Sequence, residues 1–409
     1  MPSTFQTHEL SNGLTIIAET DPEALTASAG FFVGVGARDE PSELMGVSHF
    51  LEHMMFKGTE DIGAAELNQR YDAMGARNNA YTSHELTCFY ASTIAAHARD
   101  SIDLTARMMR PALRTEDFET EKGVILEEIA MYNDNPFWVL YEQTCERHYG
   151  NSPLGHRVLG TEATIKSLTR DQMAGYFEAR YAADTTTVAL AGNVDFDAAC
   201  RQVESLCGSW PRSATPRDRQ APTRSDRRLE IDDGRFGRGY LLALIGAPPA
   251  QSDDRYAAAI AAQILGGIDN SRLHWALVEP GIAEEAQADY QPHDGSGELL
   301  MFASGDPARL DEVERIMIGE AESLAESLTA DDLDKVRSRY ATSFTVGSER
   351  PADRMQRIGR RWAALGSYRS LEEELAQIEA VDADAVRRVL ERYPMSPRTI
   401  GTLRPPASA

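Results

Sequence analysis

Basic residues are in short supply. The 409-residue chain has 41 Lys and Arg against 64 Asp and Glu, a formal net charge of −23. Such a chain lacks the basic footprint that a nucleic-acid binder needs. The excess acid has two readings: it keeps a soluble protein in solution, or it lines an acidic chamber that attracts basic peptides. Cysteine is also scarce. Cys88, Cys145, Cys200 and Cys207 are scattered, with no C-x-x-C pair, so they predict reduced thiols, not a disulfide framework. No apolar run approaches the length of a membrane span, so no membrane partner is expected. Residues Met1 to His8 carry neither a basic n-region nor an apolar h-region, and look like neither a signal peptide nor a transit peptide. The expected location is cytoplasmic; a presequence already removed would leave the same pattern.

What is present is ordinary for a globular protein: 42% hydrophobic and 26% charged residues, in a chain long enough for two domains. Asn12-Gly13 signals a hairpin between strands over residues 5–19, and Thr26 to Val35 reads as a third strand. Residues 39–43 read as a polar loop. Helices are expected at 46–56, 64–74, 94–109, 115–133 and 137–149. A short strand at Arg77 to Ser83 returns through Leu86 to Ser92. Residues 211–228 carry Pro, Ser and Arg with almost no apolar side chains, which marks a linker. Beyond it the order of elements repeats, with strands at 229–231, 238–245, 286–290, 299–304 and 399–403. Among the helices expected there is one at Ser271 to Val278. The predicted fold is α+β: two similar α/β-sandwich domains, each an antiparallel-rich sheet flanked by helices. The N-terminal domain is 1–210, the linker 211–228, and the C-terminal domain 229–409.

The most informative stretch is His49-Phe50-Leu51-Glu52-His53-Met54-Met55-Phe56-Lys57-Gly58-Thr59. Its core reads H-x-x-E-H. Four residues apart on a helix, His49 and His53 share a face and can grip one metal ion. Glu52 points nearby and is placed to act on a water. Two imidazoles suit zinc, and a catalytic zinc takes three protein ligands, so a third must come from elsewhere. The segment Glu121-Lys122-Gly123-Val124-Ile125-Leu126-Glu127-Glu128 offers carboxylates, with Glu121 and Glu128 two turns apart on one helical face.

Together, HFLEHMMFKGT, then Asn79-Ala80-Tyr81-Thr82-Ser83, then E-x-x-V-I-L-x-E resemble the inverted-zincin metallopeptidases of the pitrilysin, insulin-degrading enzyme and mitochondrial processing peptidase family (M16), in order and approximate spacing. The resemblance is strong over residues 8–200 and looser from Ile264 to Leu273. It implies one Zn²⁺ per chain, held by His49, His53 and Glu128, with Glu52 as general base. It selects Glu128 over Glu127. It makes Glu121 a group that orients a ligand. It places peptide substrates along the strand Asn79, Ala80, Tyr81 and Thr82, by strand addition. Tyr81 has a second reading, as a packed strand aromatic.

One departure stands out. Family members often carry an Arg and a Tyr, seven apart, that hold the substrate backbone. Here Val278 stands at the arginine position and Glu284 or Glu285 at the tyrosine position; none of these side chains, the glutamates being ionised, donates a hydrogen bond. The family closes about four such domains into a clamshell, and this chain supplies two. The expectation is therefore a zinc endopeptidase acting in an enclosed chamber as the catalytic subunit of a heterodimer. The second, related subunit would bring the anchoring pair; a homodimer is the rival. The alternative function is a non-catalytic scaffold subunit.

Overall fold

A computed structural model describes residues 3–406, apart from Ala214, Asp218, Gln220, Ala221 and Ile268. Four positions of the stretch read as a linker thus lie outside the described residues. The chain forms two compact units, each drawn from three stretches. The first comprises Met1–Ile129, His156–Asp218 and Thr345–Arg369; the second comprises Ala130–Gly155, Arg219–Phe344 and Ser370–Ala409.

The first unit is built on six strands: β1 (Thr4–Glu9), β2 (Thr15–Thr20), β3 (Thr26–Val33), β4 (Arg77–Thr82), β5 (Thr87–Ile94) and β6 (Thr186–Gly192). Their order is β1-β2-β6-β3-β5-β4. Every pair is antiparallel except β2 with β6. The strand β3 is buried along seven of its eight residues, because helices cover both faces of the sheet. Helix Ala98–Met108 packs on β3 and β5, and helix Pro351–Leu365 packs on β3 and β6. The second of these helices comes from late in the chain, and its Met355 and Ile358 join Ile17, Phe32, Cys88, Ala189 and Ala191 in one cluster. It lies so close that a Cβ on Gly359 would sit 2.2 Å from the Phe32 ring.

The second unit is built on β7 (Arg227–Asp232), β8 (Gly239–Gly246), β9 (Glu285–His293), β10 (Ser296–Gly305) and β11 (Arg398–Arg404), in the order β7-β11-β8-β10-β9. Only β7 with β11 is parallel. The alternation of β8 explains its two cores. Leu241, Ala243 and Ile245 face the alanine-rich helix Arg255–Gly266 and its neighbours. Leu242 and Leu244 face the opposite way, onto Val139, Leu140 and Cys145 of helix Pro136–Tyr149. That helix precedes the linker in sequence yet completes the second sheet.

The α+β class with two helix-flanked, antiparallel-rich sheets is as the sequence predicts. The units are not the continuous stretches 1–210 and 229–409: helix Pro136–Tyr149 belongs to the second and helix Pro351–Leu365 to the first. Other differences are local. The helix expected at Ser271 to Val278 ends in a π-helix, His274–Val278. The loop at 39–43 is not wholly solvated: Asp39 and Glu40 are buried. All four cysteines are free and buried. Among the described residues, no helix is long and apolar enough to cross a membrane.

Candidate metal centre

Helix Val47–Met55 carries the H-x-x-E-H sequence and is buried at eight of its nine residues. Its N-terminus is fixed by a carboxylate. Glu40, 4% exposed, accepts from the Gly46 amide through Oε2 and from the Ser48 amide through Oε1, both at 2.7 Å. This satisfies amides that the first helical turn leaves without partners. Burial pushes the Glu40 carboxyl up to about 8, and the two amide bonds act against that shift. Gly46 takes φ +95°, and a Cβ there would meet the Leu159 carbonyl at 2.6 Å. The loop that presents Glu40 is braced in turn, since Arg217 clasps both oxygens of Asp39 at 2.9 and 2.8 Å.

Helix Thr115–Asn133 brings the acids. Phe50 of the first helix stacks on Phe118 of the second, with ring centroids 4.8 Å apart and planes 13° from parallel; both side chains are fully buried. Arg114, just before the second helix, donates to the carbonyls of Lys57 and Thr59, where a cation suits the end of the dihistidine helix. The two ligand-bearing helices are thus locked together by an aromatic stack and a cap.

Between them, Glu128 Oε2 lies 3.7 Å from His49 Nε2 and 3.6 Å from His53 Nε2. The three ligand atoms all fall within 4.8 Å of one another. Donors ~2.0–2.2 Å from one tetrahedral zinc are about 3.3–3.6 Å apart, so these residues fit one such ion and leave a fourth position open. Glu127 is exposed while Glu128 is half-buried and faces the histidines. Glu121 Oε1 meets His53 Nδ1 at 2.9 Å. That hydrogen bond places the proton on Nδ1 and leaves Nε2 free for a metal. Glu121 also forms an ion pair with Lys57. His49 Nδ1 is buried and has no hydrogen-bond partner among the described residues. Burial, then the neighbouring His53, holds His49 down at about 3, in the neutral form that ligation needs. Burial raises both Glu52 and Glu128.

The strand β4 lies at the sheet edge, and its alternation separates the residues named from sequence. Thr82 turns to the dihistidine helix, where its hydroxyl donates to Glu52 Oε2 at 2.5 Å. Ala80 pairs with Phe89, whose ring lies 6.4 Å from that of Phe56. Tyr81 turns to the other face. Its hydroxyl donates to Gln356 Oε1 at 2.9 Å and accepts from Arg360 Nε at 2.8 Å, and the Arg360 guanidinium lies 4.7 Å from its ring centroid. The Tyr81 side chain is packed in this way, and Asn79 is exposed, its Oδ1 accepting from the Ala80 amide. So His49, Glu52, His53, Glu121, Glu128 and Thr82 come together, and the side chains of Asn79 and Tyr81 do not join them. In the second unit, Val278 packs against the core, and Glu284 is paired with Arg238 at 2.6 Å.

Glu40, Lys57 and Arg114 were not singled out from sequence. Glu40 lies six residues before the helix N-cap at Gly46, outside the positions where a cap is read from sequence; the other two act through contacts between distant segments.

Known proteins resemble this chain along most of its length. Residues 15–162 match the family described as Insulinase (Peptidase family M16), and residues 167–340 match one described as Peptidase M16 inactive domain. An uncharacterised zinc protease of Mycobacterium bovis is 32% identical over 387 residues, covering 93% of this chain and 88% of the relative. One from Bacillus subtilis is 29% identical over 382 residues, covering 92% of each. Among solved structures, a protease from Helicobacter pylori superposes with a TM-score of 0.92 at 20% identity, covering 99% of this chain and all of the other. At that identity the likeness speaks for the fold.

Proposed function

The chain belongs to the insulinase family, peptidase family M16, and from that premise we propose that it is a zinc-dependent endopeptidase acting on peptides and oligopeptides. The observation that carries this reading is the convergence of His49, His53 and Glu128 on one point, with Glu52 one residue from a ligand and oriented by Thr82. The names of the relatives, zinc proteases, support the same metal and chemistry.

His49, His53 and Glu128 would hold the ion. Zinc bound there supplies Lewis acidity, lowering the pKa of water toward ~7 and polarising a carbonyl. Glu52 takes a proton from the attacking water as the new C–O bond forms, and passes it to the amine that leaves as the C–N bond breaks. Glu121 keeps His53 in the tautomer that presents Nε2. Among the described residues the edge strand β4 pairs only with β5, so its outer side offers main-chain groups to an extended peptide, a mode that accepts many sequences.

The test is cleavage of an internally quenched peptide by protein with one zinc per chain. Activity should vanish with chelator. Glu52→Gln should keep the zinc and lose most of the ~10²–10⁴-fold that a positioned base supplies; retained turnover would remove Glu52 from that role.

For assembly we propose a heterodimer with a related subunit that supplies the substrate-anchoring donors and closes the chamber. Val278 packed half-buried against the core and Glu284 paired with Arg238 support this, since neither offers a donor. Co-purification from the native source and assay of the single chain would decide; full activity of this chain alone would defeat it.

A further inference from the structure

The hydroxyl that donates to Glu52 stands on the strand β4, not on the dihistidine helix. Glu52 has one hydrogen bond to its carboxylate among the described residues, from the Thr82 hydroxyl to Oε2 at 2.5 Å. Oε1 carries none. Thr82 is itself well anchored. It ends β4, in register with Thr87 of β5, and the buried Thr87 hydroxyl donates to the Val35 carbonyl at 2.9 Å. A β-branched side chain has few rotamers open to it on a strand, so the Thr82 hydroxyl is aimed by the backbone it stands on.

We propose that Thr82 is a positioning residue for Glu52. It holds Oε2 as an acceptor and leaves Oε1 as the oxygen that receives a proton from water and returns it to the leaving amine. The division is chemical as well as geometric. A carboxylate has two oxygens that compete for the same proton; a donor fastened to one makes the other the free base. Because Thr82 belongs to the same edge strand along which a peptide would lie, the element that receives substrate also sets the base. This rests on the peptidase reading for its catalytic consequence, and on the structure alone for the orientation of Glu52.

The test uses zinc-loaded full-length protein and three forms: wild type, Thr82→Val and Thr82→Ser. Valine keeps the shape and removes the hydroxyl; serine keeps the hydroxyl. High-resolution crystal structures should show the Glu52 carboxylate in one orientation in wild type and Thr82→Ser, and in a different or divided orientation in Thr82→Val. Kinetics on the quenched peptide should show kcat lower by about 10–100-fold in Thr82→Val, part of what a positioned base contributes. KM and zinc content should be unchanged, and Thr82→Ser should recover most of the loss. On a Glu52→Gln background the valine substitution should cost nothing further, because its effect runs through Glu52.

An unchanged Glu52 orientation in Thr82→Val would overturn the proposal. So would a loss that appears in KM alone, or equal losses in the valine and serine variants. If wild type, assayed together with the subunit that co-purifies with it, binds zinc but cleaves no peptide, while Thr82→Val still releases the Glu52 carboxylate, the peptidase reading fails and the positioning role of Thr82 stands.

Discussion

Replacing Glu40 by alanine should damage the metal centre without touching a ligand. The carboxylate is buried and accepts from the amides of Gly46 and Ser48 at 2.7 Å each. Alanine leaves both amides without an acceptor in a region water does not reach. Each buried donor stranded in this way costs ~1–3 kcal/mol, which puts the gross loss at about 2–6 kcal/mol. Burial of the carboxyl opposes this. It pushes Glu40 up to about 8, so removing the group relieves part of the cost of burying it, and the net loss falls below the gross figure, to about 1–3 kcal/mol. Glutamine keeps one acceptor oxygen and sets an amide group against the second donor, so it should fall between wild type and alanine. The assay is urea unfolding of the metal-free protein at pH 7, with hydrogen exchange followed at the amides of the dihistidine helix. Exchange at Gly46 and Ser48 should accelerate most. Zinc affinity should fall too, because the helix must then be ordered when the ion binds. A Glu40→Ala protein within ~0.5 kcal/mol of wild type, with unchanged exchange at those amides, would refute the reasoning.

Two further predictions follow from individual contacts. Glu121→Gln should weaken zinc binding by about 10–100-fold, the usual effect of losing a group that orients a ligand, because Glu121 holds His53 Nδ1. Glu127→Gln, on the exposed side of the same helix, should not; equal effects in a competition titration would reject the assigned roles. In the second unit, burial holds His148 below the usual histidine range, with Glu298 partly opposing. The unfolded chain takes up this proton near ~6.5 and the folded chain only at lower pH. Stability from this group is therefore full above ~6.5 and is lost as pH falls below it. His148→Gln should flatten the loss of stability between about pH 7 and 5, and identical slopes for the two proteins would contradict this.

The dihistidine pair was legible in the sequence because it depends on local spacing: His49 and His53 share a helical face whatever the helix packs against. Spacing alone left Glu121, Glu127 and Glu128 on the acidic helix, and only the family resemblance singled out Glu128. Part of the sheet content was legible from local sequence too, through the turn at Asn12-Gly13. What could not be read was which surface each helix covers. Periodicity shows that Pro136–Tyr149 and Pro351–Leu365 have apolar faces, but not that the first completes the second sheet and the second covers the first. Nor does composition reveal that Glu40, within a run of polar residues, turns inward to cap a helix. Tyr81 shows the limit most clearly. Its neighbour Thr82 faces Glu52 while Tyr81 faces Arg360, and period-two geometry requires that split, yet the sequence does not say which of the two faces is the site.

The most direct test of the account is anomalous X-ray diffraction at the zinc edge, on crystals of zinc-loaded protein. The account predicts one peak per chain, within coordination distance of His49 Nε2, His53 Nε2 and a Glu128 carboxylate oxygen, and its disappearance in His53→Ala. A peak at another position, or none at this one in protein that carries zinc, would contradict it.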